Sequence, residues 1–258
     1  MNLISLNRGS LHVEIGSDHG GRIISMTLEG CGNVLYNPER MSGEWMNYGG
    51  DFLWIAPQER WNWPPIKEFD QDPWFVSELN KSVLVTSLEW NGIKLRREFC
   101  LLSDSTLSVK NYLINLGNKQ EWGLWNISQI PLVDSEVCFS ANDSDIKVFD
   151  YLEDIELEKL FFEGYLAKRG NGIVLTGKLG KDFKIGCITD NPVIQVKTPE
   201  YSFRKKFELS QAVDYPHGCN IEFYKNDDYI ELEIVWPMTS LDVGEKYCCT
   251  QLFELQKR

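Results

Sequence analysis

Short runs of alternating apolar and polar residues, separated by turn residues, recur along nearly the whole chain and point to a sheet-rich fold. They cover Leu11–Ile15, Arg22–Leu28, Ser82–Trp90, Ile93–Leu102, Thr106–Leu116, Trp122–Ile130, Gly172–Lys178, Phe183–Thr189, Ser202–Leu209, Cys219–Tyr224, Tyr229–Trp236 and Tyr247–Leu255. These runs are rich in Val, Ile, Thr and aromatic residues, which pack well on a pleated surface. Asn91-Gly92, between Trp90 and Ile93, is the pair favoured by a two-residue type I′ turn, whose two central positions both need positive φ. Only Tyr151–Phe162 has a helical look, and its acidic residues suit a solvated face equally well. No linker, repeat or shift in composition divides the chain, so one all-β domain over residues 1–258, a large antiparallel sandwich, is predicted.

Charge and composition narrow the partners. A formal net charge of −12 argues against nucleic acid and mildly against anionic ligands, and leaves neutral small molecules untouched. No apolar run approaches a membrane span, and the polar N-terminus does not read as a signal peptide. Seven cysteines without a CxxC pair suit free thiols in the cytoplasm. The three histidines have no metal-ligand spacing, and no phosphate loop, dinucleotide fingerprint or GxSxG elbow is present, so no metal or cofactor is expected. Nothing in the sequence fixes an oligomeric state.

The stretch YGGDFLWIAPQERWNWPP, Tyr48–Pro65, concentrates aromatic and hydrogen-bonding residues. Its prolines at 57, 64 and 65 make it a poor helix and a poor central strand, so a loop is predicted. Indole rings can cover the C–H face of a sugar while amide, guanidinium and carboxylate groups satisfy its hydroxyls. Trp54, Gln58, Arg60, Trp61 and Asp51 supply that combination. The same tryptophans could equally plug an open end of the sandwich.

Near the C-terminus, alternation sets Asn220, Glu222 and Tyr224 on one face of a strand, and Tyr229, Glu231 and Glu233 on one face of the next. These read either as solvated faces or as part of a site.

Three segments together resemble the galactose mutarotase-like superfamily, which includes the aldose 1-epimerases. They are GGRIISMTLEGCGNVLY (Gly20–Tyr36), GCNIEFY (Gly218–Tyr224) and SLDVGEKYCCTQLFEL (Ser240–Leu255). GGDFLWIAPQERWNWPP looks closest to an uncharacterised bacterial subgroup of it. The resemblance implies a β-supersandwich whose concave face binds a neutral sugar. It also implies general acid–base catalysis, with Glu222 matching the base that takes the proton of the C1 hydroxyl and Arg60 matching a substrate-binding arginine. The segment NKQEWGLWNISQIP, where such enzymes carry a catalytic histidine, has none. Asn126, Ser128 and Gln129 there can hydrogen-bond a sugar but cannot act as the acid. His217 is the candidate replacement, with His19 behind it, and Glu233 joins the candidate binding residues. The alternatives that stay open are an epimerase, a non-catalytic sugar-binding module and an assembly domain.

Overall fold

The computed structural model describes residues 3–38, 45–149, 155–211 and 214–258. Among these, the chain forms two ten-stranded antiparallel sheets. In the first, the spatial order is β1 (Leu3–Arg8), β2 (Leu11–Gly16), β3 (Arg22–Leu28), β4 (Asp51–Ala56), β9 (Gln120–Pro131), β18 (Tyr229–Val235), β17 (Ile221–Lys225), β14 (Phe183–Cys187) and β11 (Lys147–Phe149). The short β19 (Thr239–Leu241) pairs with the start of β9. The second sheet runs β12 (Leu166–Arg169), β13 (Gly172–Thr176), β10 (Glu136–Phe139), β15 (Val193–Lys197), β16 (Tyr201–Phe207), β20 (Lys246–Lys257), β8 (Thr106–Asn115), β7 (Ile93–Ser103), β6 (Ser82–Thr86) and β5 (Phe75–Leu79). Among the described residues, no helix is long and apolar enough to cross a membrane.

Alternation places one side-chain set of each sheet in a shared core. Leu53, Ile55, Leu124, Ile185 and Phe223 from the first sheet join Phe99, Val109, Phe203 and Phe253 from the second, all fully buried. Each such side chain contributes about 1.5–3 kcal/mol on burial. The predicted hairpin is present: Asn91 and Gly92 have φ of 46° and 80°, and Trp90 and Ile93 exchange backbone hydrogen bonds of 2.9 and 2.8 Å.

Charged groups also cross between the sheets. Arg97 of β7 pairs with Asp51 of β4, and both are fully buried. The Ser128 hydroxyl donates to Asp51 Oδ2 at 2.6 Å. Lys205 of β16 donates to the Leu232 carbonyl at 2.8 Å and lies 3.9 Å from Asp51. Burial pushes the Lys205 ammonium down to about 7, with Asp51 opposing. Ions so deep persist only where partners compensate their lost hydration.

Two expectations need correction. Within the predicted loop Tyr48–Pro65, Asp51–Ala56 is β4, a strand with every residue buried. All three prolines follow Ala56, so none removes a donor from its ladder. The strand is entered through Gly49 and Gly50, with φ of 68° and 79°. A Cβ on either would collide with a carbonyl oxygen, that of Tyr36 or Ile23. The second correction concerns the predicted helix. Its C-terminal part forms α2 (Leu157–Phe162), residues 155–156 precede it as non-helical chain, and residues 151–154 lie outside the described residues.

Candidate functional site

The face of the first sheet turned away from the shared core carries the candidate site. Strand register assembles it in rows. Val235, Trp125 and Trp54 stand side by side across β18, β9 and β4. The next row is Gly186, Glu222, Glu233, Ile127 and Phe52, and the one beyond it is Lys184, Tyr224, Glu231 and Gln129. Phe52, Trp54, Trp125, Ile127 and Val235 form a second apolar cluster there, separate from the main core.

Over these rows opens a cleft of about 590 Å³. Four indoles line it: Trp54 and Trp125 meet edge to face at 5.5 Å, and Trp45 and Trp63 at 5.1 Å. Gln58, Lys184, Tyr224, Tyr229 and Glu231 supply its polar lining. The indoles are held from behind. Asp70, at the end of the short helix α1 (Lys67–Asp70), accepts the indole N–H of Trp45 at 2.7 Å and of Trp54 at 3.1 Å. Arg22 holds that carboxylate at 2.7 Å, and both ions are buried.

Beneath Trp125 lies an ionic cluster. The Lys184 ammonium is 2.8 Å from Glu222 Oε2 and 2.8 Å from Glu233 Oε2, and 4.7 Å from the centre of the Trp125 ring. Trp125 Nε1 donates to Glu233 Oε2 at 2.7 Å. His217 Nδ1 lies 2.8 Å from Glu222 Oε1, and its ring meets Trp125 edge to face. Burial alone would raise the Glu222 carboxyl, but Lys184 and His217 outweigh it and hold the group at about 2. Burial opposes the Lys184 charge, yet the two carboxylates raise its pKa above the ordinary value. Glu233 is raised, because its burial exceeds what Lys184 returns. Glu231, which accepts from Gln129 Nε2 at 2.8 Å, is pushed up to about 8 by burial and by Glu233.

No protein-family model matches the chain, and no curated protein matches it in sequence. Solved structures do match. A provisionally assigned aldose 1-epimerase from Escherichia coli K12 superposes with a TM-score of 0.65, at 13% identity over 100% of this chain and 99% of that one. A galactose 1-epimerase from Lactobacillus acidophilus NCFM gives 0.61, at 13% identity over 100% and 95%. An aldose epimerase homologue from C. elegans gives 0.64, at 11% identity over 99% of each chain. The fold is the galactose mutarotase-like β-sandwich. At such identities it is the architecture that is shared.

Within this galactose mutarotase-like frame the sequence-predicted residues separate into groups. Trp54 and Gln58 line the cleft. Glu222, His217 and Glu233 come together beneath it, and Gln129 reaches its edge through Glu231. Trp61 stands behind Trp54, ring centres 5.9 Å apart, with its Nε1 donating to the Ile55 carbonyl at 2.9 Å. Three candidates lie elsewhere. Asp51 and Asn126 belong to the opposite face of their strands, because a residue one step from Phe52 or Trp125 points the other way. Asp51 is consumed by Arg97 and Ser128, and the Asn126 amide donates to the Phe52 carbonyl at 2.8 Å. Arg60 is exposed on the turn after β4, where it donates to the Glu121 carbonyl at 2.7 Å and covers Trp122. Nor is either strand face carrying Glu222 and Glu233 solvated, since both side chains are fully buried.

Lys184, Trp45, Trp63 and Trp125 are not among the residues assigned to a site from sequence, whereas Tyr224, Tyr229 and Glu231 stand there on strand faces that read either as solvated or as part of a site. A usable signal exists for Lys184, a lone charge in the apolar run Phe183–Cys187.

Proposed function

We propose that the protein binds a saccharide in the cleft, its C–H faces against the indoles and its hydroxyls on Gln58, Glu231, Tyr224 and Tyr229. The observation carrying this reading is the convergence of four indoles, from β4, β9 and the segments flanking β4, on one cavity with polar groups along its side. The likeness to structures named for sugar epimerisation supports the same ligand class. All seven cysteines are free thiols, in keeping with a reducing cytoplasmic setting. Titration of tryptophan fluorescence with a panel of hexoses, pentoses and disaccharides tests the reading. A saturable change that Trp125→Ala removes is expected, and a folded protein that responds to no saccharide would overturn it.

Anomer exchange is a second reading, favoured by the 2.8 Å contact of Glu222 with His217. In it, Glu222 takes the proton of the C1 hydroxyl and His217 returns one to the ring oxygen, so the ring opens and recloses on either face. Against it, Glu222 is fully buried, has its proton affinity lowered by Lys184 and His217, and has one oxygen on His217 and the other on Lys184. Binding without turnover is therefore the reading preferred. Magnetisation-exchange NMR between α and β anomers separates the two, since only turnover predicts an acceleration that Glu222→Gln abolishes.

A further inference from the structure

Among the described residues, three acidic side chains, Glu222, Glu231 and Glu233, stand at the cleft or beneath it, and two basic side chains, Lys184 and His217, meet them. Lys184 bridges Glu222 and Glu233, and His217 caps the remaining oxygen of Glu222. Among the described residues, Glu231 has no ion pair. It accepts from the Gln129 amide, has Tyr229 and Glu233 on its own strand, and faces Tyr224 across the register of β17. From β14, Lys184 lines the same cleft but is committed to its two carboxylates, which offset its charge. Among the described residues, no other lysine and no arginine lines the cavity.

A carboxyl group of this kind, set beside Tyr224 and Tyr229 at the wall of a cavity whose one lysine is already paired, suits a cation. The ring faces attract positive charge, and the carboxylate supplies its counter-ion. The overall charge of −12 adds a long-range field of the same sign. We propose that the cleft takes an amino sugar: a saccharide whose protonated amine pairs with Glu231 beside Tyr224 and Tyr229 while its ring lies on the indoles. The proposal rests on the saccharide reading above and replaces the neutral sugar that the resemblance implies. Glu231, raised towards neutrality in the free protein, gives up its proton as the ammonium arrives.

Calorimetric titration with glucosamine, galactosamine, their parent hexoses and their N-acetyl derivatives tests this. The amino sugar is expected to bind about tenfold more tightly than its parent and its N-acetyl derivative, the scale of one cation–aromatic and ion-pair contact. Glu231→Gln is expected to erase that preference, so that the variant binds the amino sugar no more tightly than its parent hexose. Parent hexoses that bind as tightly as the amino sugars would overturn the amine assignment and leave the saccharide reading standing. Failure of every saccharide would overturn both. A second measurement needs no variant: a trimethylammonium derivative of glucosamine keeps its charge at every pH. Its affinity for the unaltered protein should rise between about pH 6 and 9 as Glu231 ionises, and a flat profile would sink the pairing.

Discussion

Trp45 and Trp54 donate their indole N–H groups to the two oxygens of one buried carboxylate, that of Asp70. This shared acceptor sets the spacing of two cleft indoles, one just before β4 and one within it. Arg22 neutralises it, and its guanidinium also lies 4.7 Å from the centre of the Phe52 ring.

Replacing Asp70 by Asn strands the Arg22 charge in the interior and weakens both indole contacts. Removing one partner of a buried pair costs about 3–5 kcal/mol. Urea unfolding should show a loss of that size, together with a shift in tryptophan emission. A loss below about 1 kcal/mol would contradict the clamp.

Lys184→Met leaves Glu222 and Glu233 directly opposite one another without the ammonium that bridges them. Destabilisation of about 3–5 kcal/mol at neutral pH is expected. In the unaltered protein Glu222 is held at about 2, below its ordinary value of about 4.3, so its contribution is present above about 4.3 and is lost as pH falls through about 2. The variant lacks this contribution, and its carboxylates take up protons more readily. Its deficit should therefore narrow between pH 7 and about 4, and a constant deficit would argue against the ionic cluster.

Glu231 has the opposite sign. Raised to about 8, it keeps a proton in the folded chain that the unfolded chain releases near 4.3. Stability should therefore fall as pH rises through that interval. Glu231→Gln should flatten this part of the profile, which unfolding midpoints at five pH values between 5 and 9 would reveal. An unchanged slope would remove Glu231 as its source.

Trp63 is 52% exposed, at the open side of the cleft. Trp63→Ala should change stability by no more than about 0.5 kcal/mol, the usual range for surface substitutions. Saccharide affinity should nonetheless fall about tenfold, corresponding to loss of about 1.4 kcal/mol of contact. Equal affinity in the variant would exclude this indole from the site.

Much of the sheet was legible because alternation is a local signal. The Arg22–Leu28 run matches β3 residue for residue, and Ile93–Leu102 differs from β7 by one residue. Strands such as β10, four residues long, and β5, exposed at every position, carry little pattern of their own and depend on neighbours for their pairing. The strand in Asp51–Ala56 was missed because the prolines beyond it dominated the reading of its segment.

The sequence by itself determined the all-β class, the turn at Asn91-Gly92, and which side chains of each strand share a face, since each depends on residues close together in the chain. It did not determine which face meets the core. Asp51 and Trp54 are three residues apart, yet one is buried against Arg97 between the sheets and the other lines the cleft. That choice came with the pairing of β4 against β9, and the bridging of Glu222 and Glu233 by Lys184 with the register of β14, β17 and β18. Such register is set by pairing between segments far apart in sequence, where a one-residue slip sends every side chain to the other face. The tertiary structure alone decided it.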